Sequence, residues 1–225
     1  MQSMRAIRAA GVPCPKVISY GEHPHTPWAP VSILMTRLPG EELDVAYEHL
    51  SALQRNTVTM ELRTILEAIR SWKNPWGRRI CSISSGPIRS IRVPNHVVRP
   101  CESEDEFQEQ ILSTASSHSF KTRDEDETTL ATARAMPLQH DVDFTHGDFA
   151  LHNILVYNGR VSGFIDWESA GWYPEYWEFT TPLRWTSRDS EKGSLFLQLG
   201  GHRYEKELES ELAIRTLTVD SWISV

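Results

Sequence analysis

The apolar positions along this chain change period several times, and each change marks an element. Met1–Ala10 reads as the last turns of a helix, stopped by Gly11, Pro13 and Pro15. Lys16–Tyr20 and Val31–Met35 read as short strands around a Pro- and His-rich turn at His23–Pro30, with Leu38-Pro39-Gly40 ending the second strand. From Leu43 to Trp72, the residues Leu50, Leu53, Val58, Leu62, Ile65, Leu66 and Ile69 recur at helical spacing. Asn74–Pro100 is punctuated by Pro, Gly and Arg and reads as irregular. Ser103-Glu-Asp-Glu106 ahead of Phe107 is a capping-box pattern opening a helix through about Thr114, and a further helix is expected around Asp124–Ala135. Asn153–Val156 and Val161–Ile165 read as strands joined by Asn158-Gly159, a strong hairpin signal. The remainder, roughly Pro174–Val225, reads as helical, with Glu concentrated over Tyr204–Ile214. There is no internal repeat, low-complexity tract or obvious interdomain linker.

Composition narrows the class without identifying it. The chain has 225 residues, enough for one sizeable domain or two small lobes, and its 40% apolar content with eight Trp is that of a globular protein. No run approaches the roughly 18 apolar residues that span a bilayer, so no membrane partner is expected. The N-terminus offers no apolar signal-peptide core before Gly11 and Pro13. Three widely spaced cysteines, Cys14, Cys81 and Cys101, fit reduced thiols, and the expected location is cytoplasmic. The net charge of −7 is uneven: residues 1–100 carry +6 and residues 101–225 carry −13. An acidic C-terminal half speaks against nucleic acid and suits a cationic ligand, with a solvated acidic surface as the plain alternative. Arg78, Arg79, Arg89, Arg92 and Arg99 lack interleaved aromatics and read as a solvated loop.

Chemistry concentrates in Phe144–Val156 and Gly163–Gly171. Asp148 and Asn153 are five apart, and Asp166 follows thirteen later, which is the spacing of a kinase catalytic loop followed by a metal-binding Asp. In that reading Asp148 accepts the proton of an attacking hydroxyl, while Asn153 and Asp166 supply hard oxygen ligands to Mg²⁺. The hairpin carries Asn153 towards Asp166, a geometric reason for the spacing. Ordinary turn-capping residues would be the better explanation for any one of the three alone. His146 and His152 are six apart, which fits no single helical face for zinc, so a His146 bonded to loop backbone is expected. No G-x-S-x-G is present to suggest a serine nucleophile.

His146-Gly-Asp148, Asn153-Ile-Leu-Val156, Ile165–Gly171 and Pro174–Glu178 together resemble the aminoglycoside phosphotransferase family. Within it the chain resembles the fungal-type branch of small-molecule kinases, related in fold to choline kinases and protein kinases. Gly11–Val17 and Ile33–Gly40 resemble the segments after the first-lobe helix and at the hinge. The resemblance implies an α+β, protein kinase-like fold. Its expected parts are a remnant N-lobe with hinge at residues 1–40 and a mostly helical C-lobe at 41–225. It implies ATP and Mg²⁺ as cofactors and a small-molecule hydroxyl, possibly a cationic one, as acceptor. Asp148 would be the base, Asn153 and Asp166 the metal ligands, and His146 the brace of the loop. Met35, Thr36, Arg37 and Leu38 would line the adenine site. Glu168 and Glu178 are candidates either for shaping the acceptor side or for pinning their segment by hydrogen bonds. The family's Gly-rich loop and phosphate-binding Lys have no counterpart, since Lys16 falls after the helix. The resemblance thus implies an N-terminally truncated lobe, with a catalytically impaired binding module as the alternative to an active kinase. The strands at Lys16–Tyr20 and Val31–Met35 would then expose an apolar edge open to a partner or to self-association.

Overall fold

The computed structural model describes residues 2–21, 32–93, 96–116 and 122–218. The expected turn at His23–Pro30 lies outside these, as do the last seven residues. The chain is α+β and forms two compact units. The first joins Met1–Ile65 to Leu151–Glu168; the second joins Leu66–Ala150 to Ser169–Val225.

In the first unit, α1 (Gln2–Ala9) buries Met4 and Ile7 and ends where Gly11 turns left-handed at φ 82°. Strands β1 (Val17–Gly21) and β2 (Ser32–Met35) pair antiparallel as a two-stranded sheet. Ile18, Tyr20, Ile33, Leu34 and Met35 on this sheet are all exposed. Strand β3 (Glu41–Glu42) lies against β8 (Ile154–Tyr157), which pairs in turn with β9 (Arg160–Phe164). Asn158 and Gly159 join β8 to β9 with φ of 52° and 73°, the double left-handed step of a primed hairpin turn. Gly163 is fixed by crowding: a side chain there would meet the carbonyl oxygen of Pro13 at 2.7 Å, beside the bond from Phe164 N to that same oxygen.

The long helix expected from Leu43 to Trp72 is two helices, α2 (Leu43–Ala46) and α3 (Ala52–Arg70). Val58, Leu62, Leu66 and Ile69 form the buried stripe of α3, whereas Leu53 is 76% exposed and belongs to the solvent face. A periodic list cannot tell which of several overlapping stripes faces the core.

The second unit contains elements that the apolar pattern did not reveal. Strands β7 (Val142–Thr145) and β10 (Gly171–Pro174) pair antiparallel, with the two-residue β4 (Cys81–Ser82) on the far side of β10. Strands β5 (Ile88–Arg89) and β6 (Val97–Val98) form a small ribbon within the segment read as irregular. Helix α4 (Glu104–Leu112) is capped by the Ser103 side chain, which accepts from Glu106 N. The reciprocal bond of a capping box is displaced here, because Glu106 accepts from Glu102 N instead. The full box occurs at α5 (Arg123–Arg134), between Thr122 and Glu125. Helices α6 (Trp177–Leu183), α7 (Glu191–Leu199) and α8 (Glu205–Leu217) complete the unit, so the region read as helical from Pro174 begins instead with the last residue of a strand.

Aromatic rings fill this core. Tyr173 stacks on Trp177 at 5.0 Å, Phe107 meets both edge-on, and Phe144 lies between Trp72 and Trp172. Arg92 corrects the reading of a solvated arginine loop: it is 3% exposed. Its guanidinium lies 3.7 Å over the Trp177 ring, 2.5 Å from Glu211 and 2.8 Å from the Thr181 hydroxyl. A lone buried guanidinium would be prohibitive, and the buried Glu211 carboxylate is what permits it. No described helix is long and apolar enough to cross a membrane.

Candidate active site

The sequence-derived site residues fall into two groups, one in each unit. In the second unit, β7 delivers the chain into the loop His146-Gly147-Asp148. His146 is buried, and Gly147 takes φ 82° with no room for a side chain, since a Cβ would stand 2.1 Å from Ser169 O. The main chain of this loop is gripped from α6. One Glu178 carboxylate oxygen accepts from His146 N at 2.8 Å, and the other accepts from Gly147 N at 3.2 Å. Trp177 Nε1 donates to Gly147 O at 3.2 Å. Asp148 is half-buried, and its carbonyl receives Ala150 N.

Glu178 is 1% exposed, and burial raises its carboxyl to about 7, opposed by the two backbone N–H bonds and by Arg70, and reinforced by Asp148. Arg70 is itself held by Asp143 at 2.7 Å and by the Glu175 carbonyl. Of the two roles weighed for Glu178, its contacts are those of hydrogen bonding to the loop main chain. Glu168 is exposed and lies in the first unit with Asp166.

In the first unit, Asn153 ends a short 3-10 turn just before β8, and Asp166 follows β9. Their segments are tied by Ile165 N donating to Asn153 O at 2.9 Å, directly beyond the Ile154–Phe164 pair. Asn153 is buried and Asp166 is exposed, at φ 58°. A left-handed Asp is uncommon, and strain of this kind concentrates at functional positions. Trp167 braces the following turn by donating Nε1 to Phe164 O.

Met35, Thr36, Arg37 and Leu38 line one cleft of about 690 Å³ in this unit. Pro15, Leu155 and Ile165, the neighbour of Asp166, line the same cleft. Thr36 fixes its rim, with Thr36 N donating to Lys16 O and its hydroxyl accepting from Lys16 N. Among the described residues, no group of three or more His, Cys, Asp or Glu gathers as a self-sufficient metal site. Trp177 received no role from the sequence, although it lies in the segment Pro174–Glu178 that carries part of the resemblance.

Residues 1–214 match the phosphotransferase enzyme family APH, and the chain belongs to that family. Its fold is the kinase-like fold of the aminoglycoside phosphotransferases. An aminoglycoside 3'-phosphotransferase from Niallia circulans is 24% identical over 193 residues, covering 84% of this chain and 66% of the relative. This chain therefore spans slightly under two thirds of that relative. The aminoglycoside phosphotransferase APH(4)-Ia, solved as a thermostable mutant with ADP and hygromycin B, superposes with a TM-score of 0.58 at 18% identity, covering 96% of this chain and 71% of that one. The aminoglycoside-3'-phosphotransferase of type VIII gives 0.57 at 18% identity, covering 96% and 78%. APH(2")-IIa bound to gentamicin also gives 0.57 at 18% identity, covering 96% and 67%.

Proposed function

We propose that this chain binds ATP with Mg²⁺ and transfers the γ-phosphate to a hydroxyl of a small molecule. The observation that carries this reading is the first-unit cleft, in which the hinge-like segment Met35–Leu38 and the residue preceding Asp166 line one space. Solved relatives with ADP or AMP-PNP bound support the choice of nucleotide.

In this reading Met35–Leu38 would line the adenine site, with main-chain groups of that segment as its hydrogen-bond partners. Asn153 and Asp166 would hold Mg²⁺. Two hard oxygen donors on segments tied to each other fit an ion that keeps water and phosphate as its remaining ligands. The cation would neutralise charge on the transferred group. Asp148 accepts the acceptor's hydroxyl proton as that oxygen bonds to the γ-phosphorus and the bond to ADP breaks, and His146-Gly147 hold Asp148 in place. The acidic C-terminal half favours a cationic acceptor, as do relatives solved with hygromycin B, gentamicin and streptomycin.

Calorimetric titration with Mg²⁺-ATP tests the nucleotide claim, and no heat at millimolar nucleotide overturns it. Asp148→Asn then separates transfer from binding: it should abolish phosphate transfer to a polyhydroxyl amine while leaving the nucleotide affinity within about twofold. Transfer that survives this substitution would remove Asp148 from the mechanism, and binding without transfer in the unsubstituted chain would make it an impaired binding module.

A further inference from the structure

The chain opens with three cations, Arg5, Arg8 and Lys16, before its first acidic residue, Glu22. The fold gathers them in the first unit. Arg5 and Arg8 are three apart on α1 and so share a helix face, and Lys16 directly precedes β1. With the buried Met4 and Pro15 and the half-buried Val17, they line a groove of about 360 Å³ that holds no acidic side chain. All three cations are exposed, and no acidic side chain among the described residues pairs with them. Their segments are anchored. Arg8 Nη1 donates to Cys14 O at 2.8 Å, which ties this guanidinium to the turn between α1 and β1. Lys16 N donates to Thr36 Oγ1 at 2.8 Å, and Thr36 N donates to Lys16 O at 2.9 Å. Three like charges held around one space raise its positive potential, and an anion relieves their repulsion.

We propose that this groove binds a phosphate group, either free or carried by a small molecule, at a site separate from the cleft lined by Met35–Leu38. A phosphate monoester brings about two negative charges at neutral pH, which answers three cations better than the single charge of a carboxylate. Each guanidinium can pair two phosphate oxygens at once, and the Lys16 ammonium adds a point charge. The volume admits the phosphate together with a small carrier, at the lower end of the range for small-molecule sites. Pro15 is a wall of both spaces, so the groove adjoins the cleft without sharing its other lining residues. The site does not depend on Asp148 and stands equally in a chain without turnover.

The test is an NMR titration of the unsubstituted chain with inorganic phosphate at about pH 7.5, where phosphate is mostly dianionic, against chloride at matched ionic strength. The amides of Arg5, Arg8, Ala9, Lys16 and Val17 should shift and saturate with phosphate while that of Leu38 stays flat. Arg5→Gln and Lys16→Gln should each weaken the binding about tenfold, the loss of one charge-assisted contact, and leave Tm unchanged because both side chains are exposed. Shifts that never saturate, or that chloride reproduces, overturn the proposal by reducing it to screening. Saturation that survives both substitutions overturns the assignment to this groove. A repeat with Mg²⁺-AMP-PNP present separates two sources of the phosphate. An unchanged phosphate response points to a free or carried phosphate, and groove amides already shifted by the nucleotide and blind to phosphate point to the nucleotide's own phosphates. Failure of the Mg²⁺-ATP titration refutes the proposed function and leaves the phosphate response standing.

Discussion

Glu211→Gln should be among the most destabilising single-atom-scale changes available to this chain. Glu211 is fully buried, its Oε2 lying 2.5 Å from Arg92 Nη1 and 3.7 Å from Arg184 Nε. Both arginines are themselves 2–3% exposed. The substitution keeps the shape and one acceptor but removes the negative charge that both of these contacts share. Breaking a buried pair in this way costs about 3–5 kcal/mol, and the retained acceptor places the expected loss near the lower figure, about 3 kcal/mol. For a chain of this size that corresponds to a fall of roughly 6–12 °C in Tm. Urea denaturation with matched slopes is the assay. Arg92→Met supplies the control, because with that guanidinium gone Glu211→Gln should cost at least about 1 kcal/mol less than in the unsubstituted chain. A loss below about 1 kcal/mol, or strict additivity of the two changes, would refute the picture of a compensated buried cluster beneath Trp177.

Gly147→Ala should prevent folding or cost several kcal/mol, since the new Cβ would stand 2.1 Å from Ser169 O at a left-handed φ; a soluble variant with unchanged Tm would contradict this. His140 lies between Glu104 at 2.9 Å and Glu207 at 3.1 Å, and the hydrogen bond to Glu104 leads the effects that raise it above its ordinary value. Its charge therefore stabilises the fold fully below about pH 6.5, and that contribution is lost as pH rises through the higher folded value. The stability difference between the unsubstituted chain and His140→Gln should shrink across that interval, and a constant difference would count against the clamp. Self-association through the exposed β1–β2 face should diminish in Leu34→Lys, measured by sedimentation velocity; identical profiles would remove that face as the contact.

Local chemistry was legible in the chain wherever the cause is local. Asn158-Gly159 specifies its turn because both residues tolerate positive φ, whereas Ile165 meets Asn153 only because the register shifts by one residue between Leu155 and Val156. The spacing of Asp148, Asn153 and Asp166 read as phosphoryl-transfer chemistry, and the motifs around it carried the resemblance to the family that residues 1–214 match. The short strands β7 and β10 escaped notice because each is a strand only by virtue of its partner. Arg92 looked like solvated surface, and only the fold, by bringing it into one dry contact with Glu211, 119 positions away, made it core. Glu178 shows the division most clearly. Its place beside the signature could be read from the chain, but its buried carboxylate and its hold on two backbone N–H groups exist only once α6 packs against the loop, because burial and hydrogen-bond direction are properties of a neighbourhood and not of a residue.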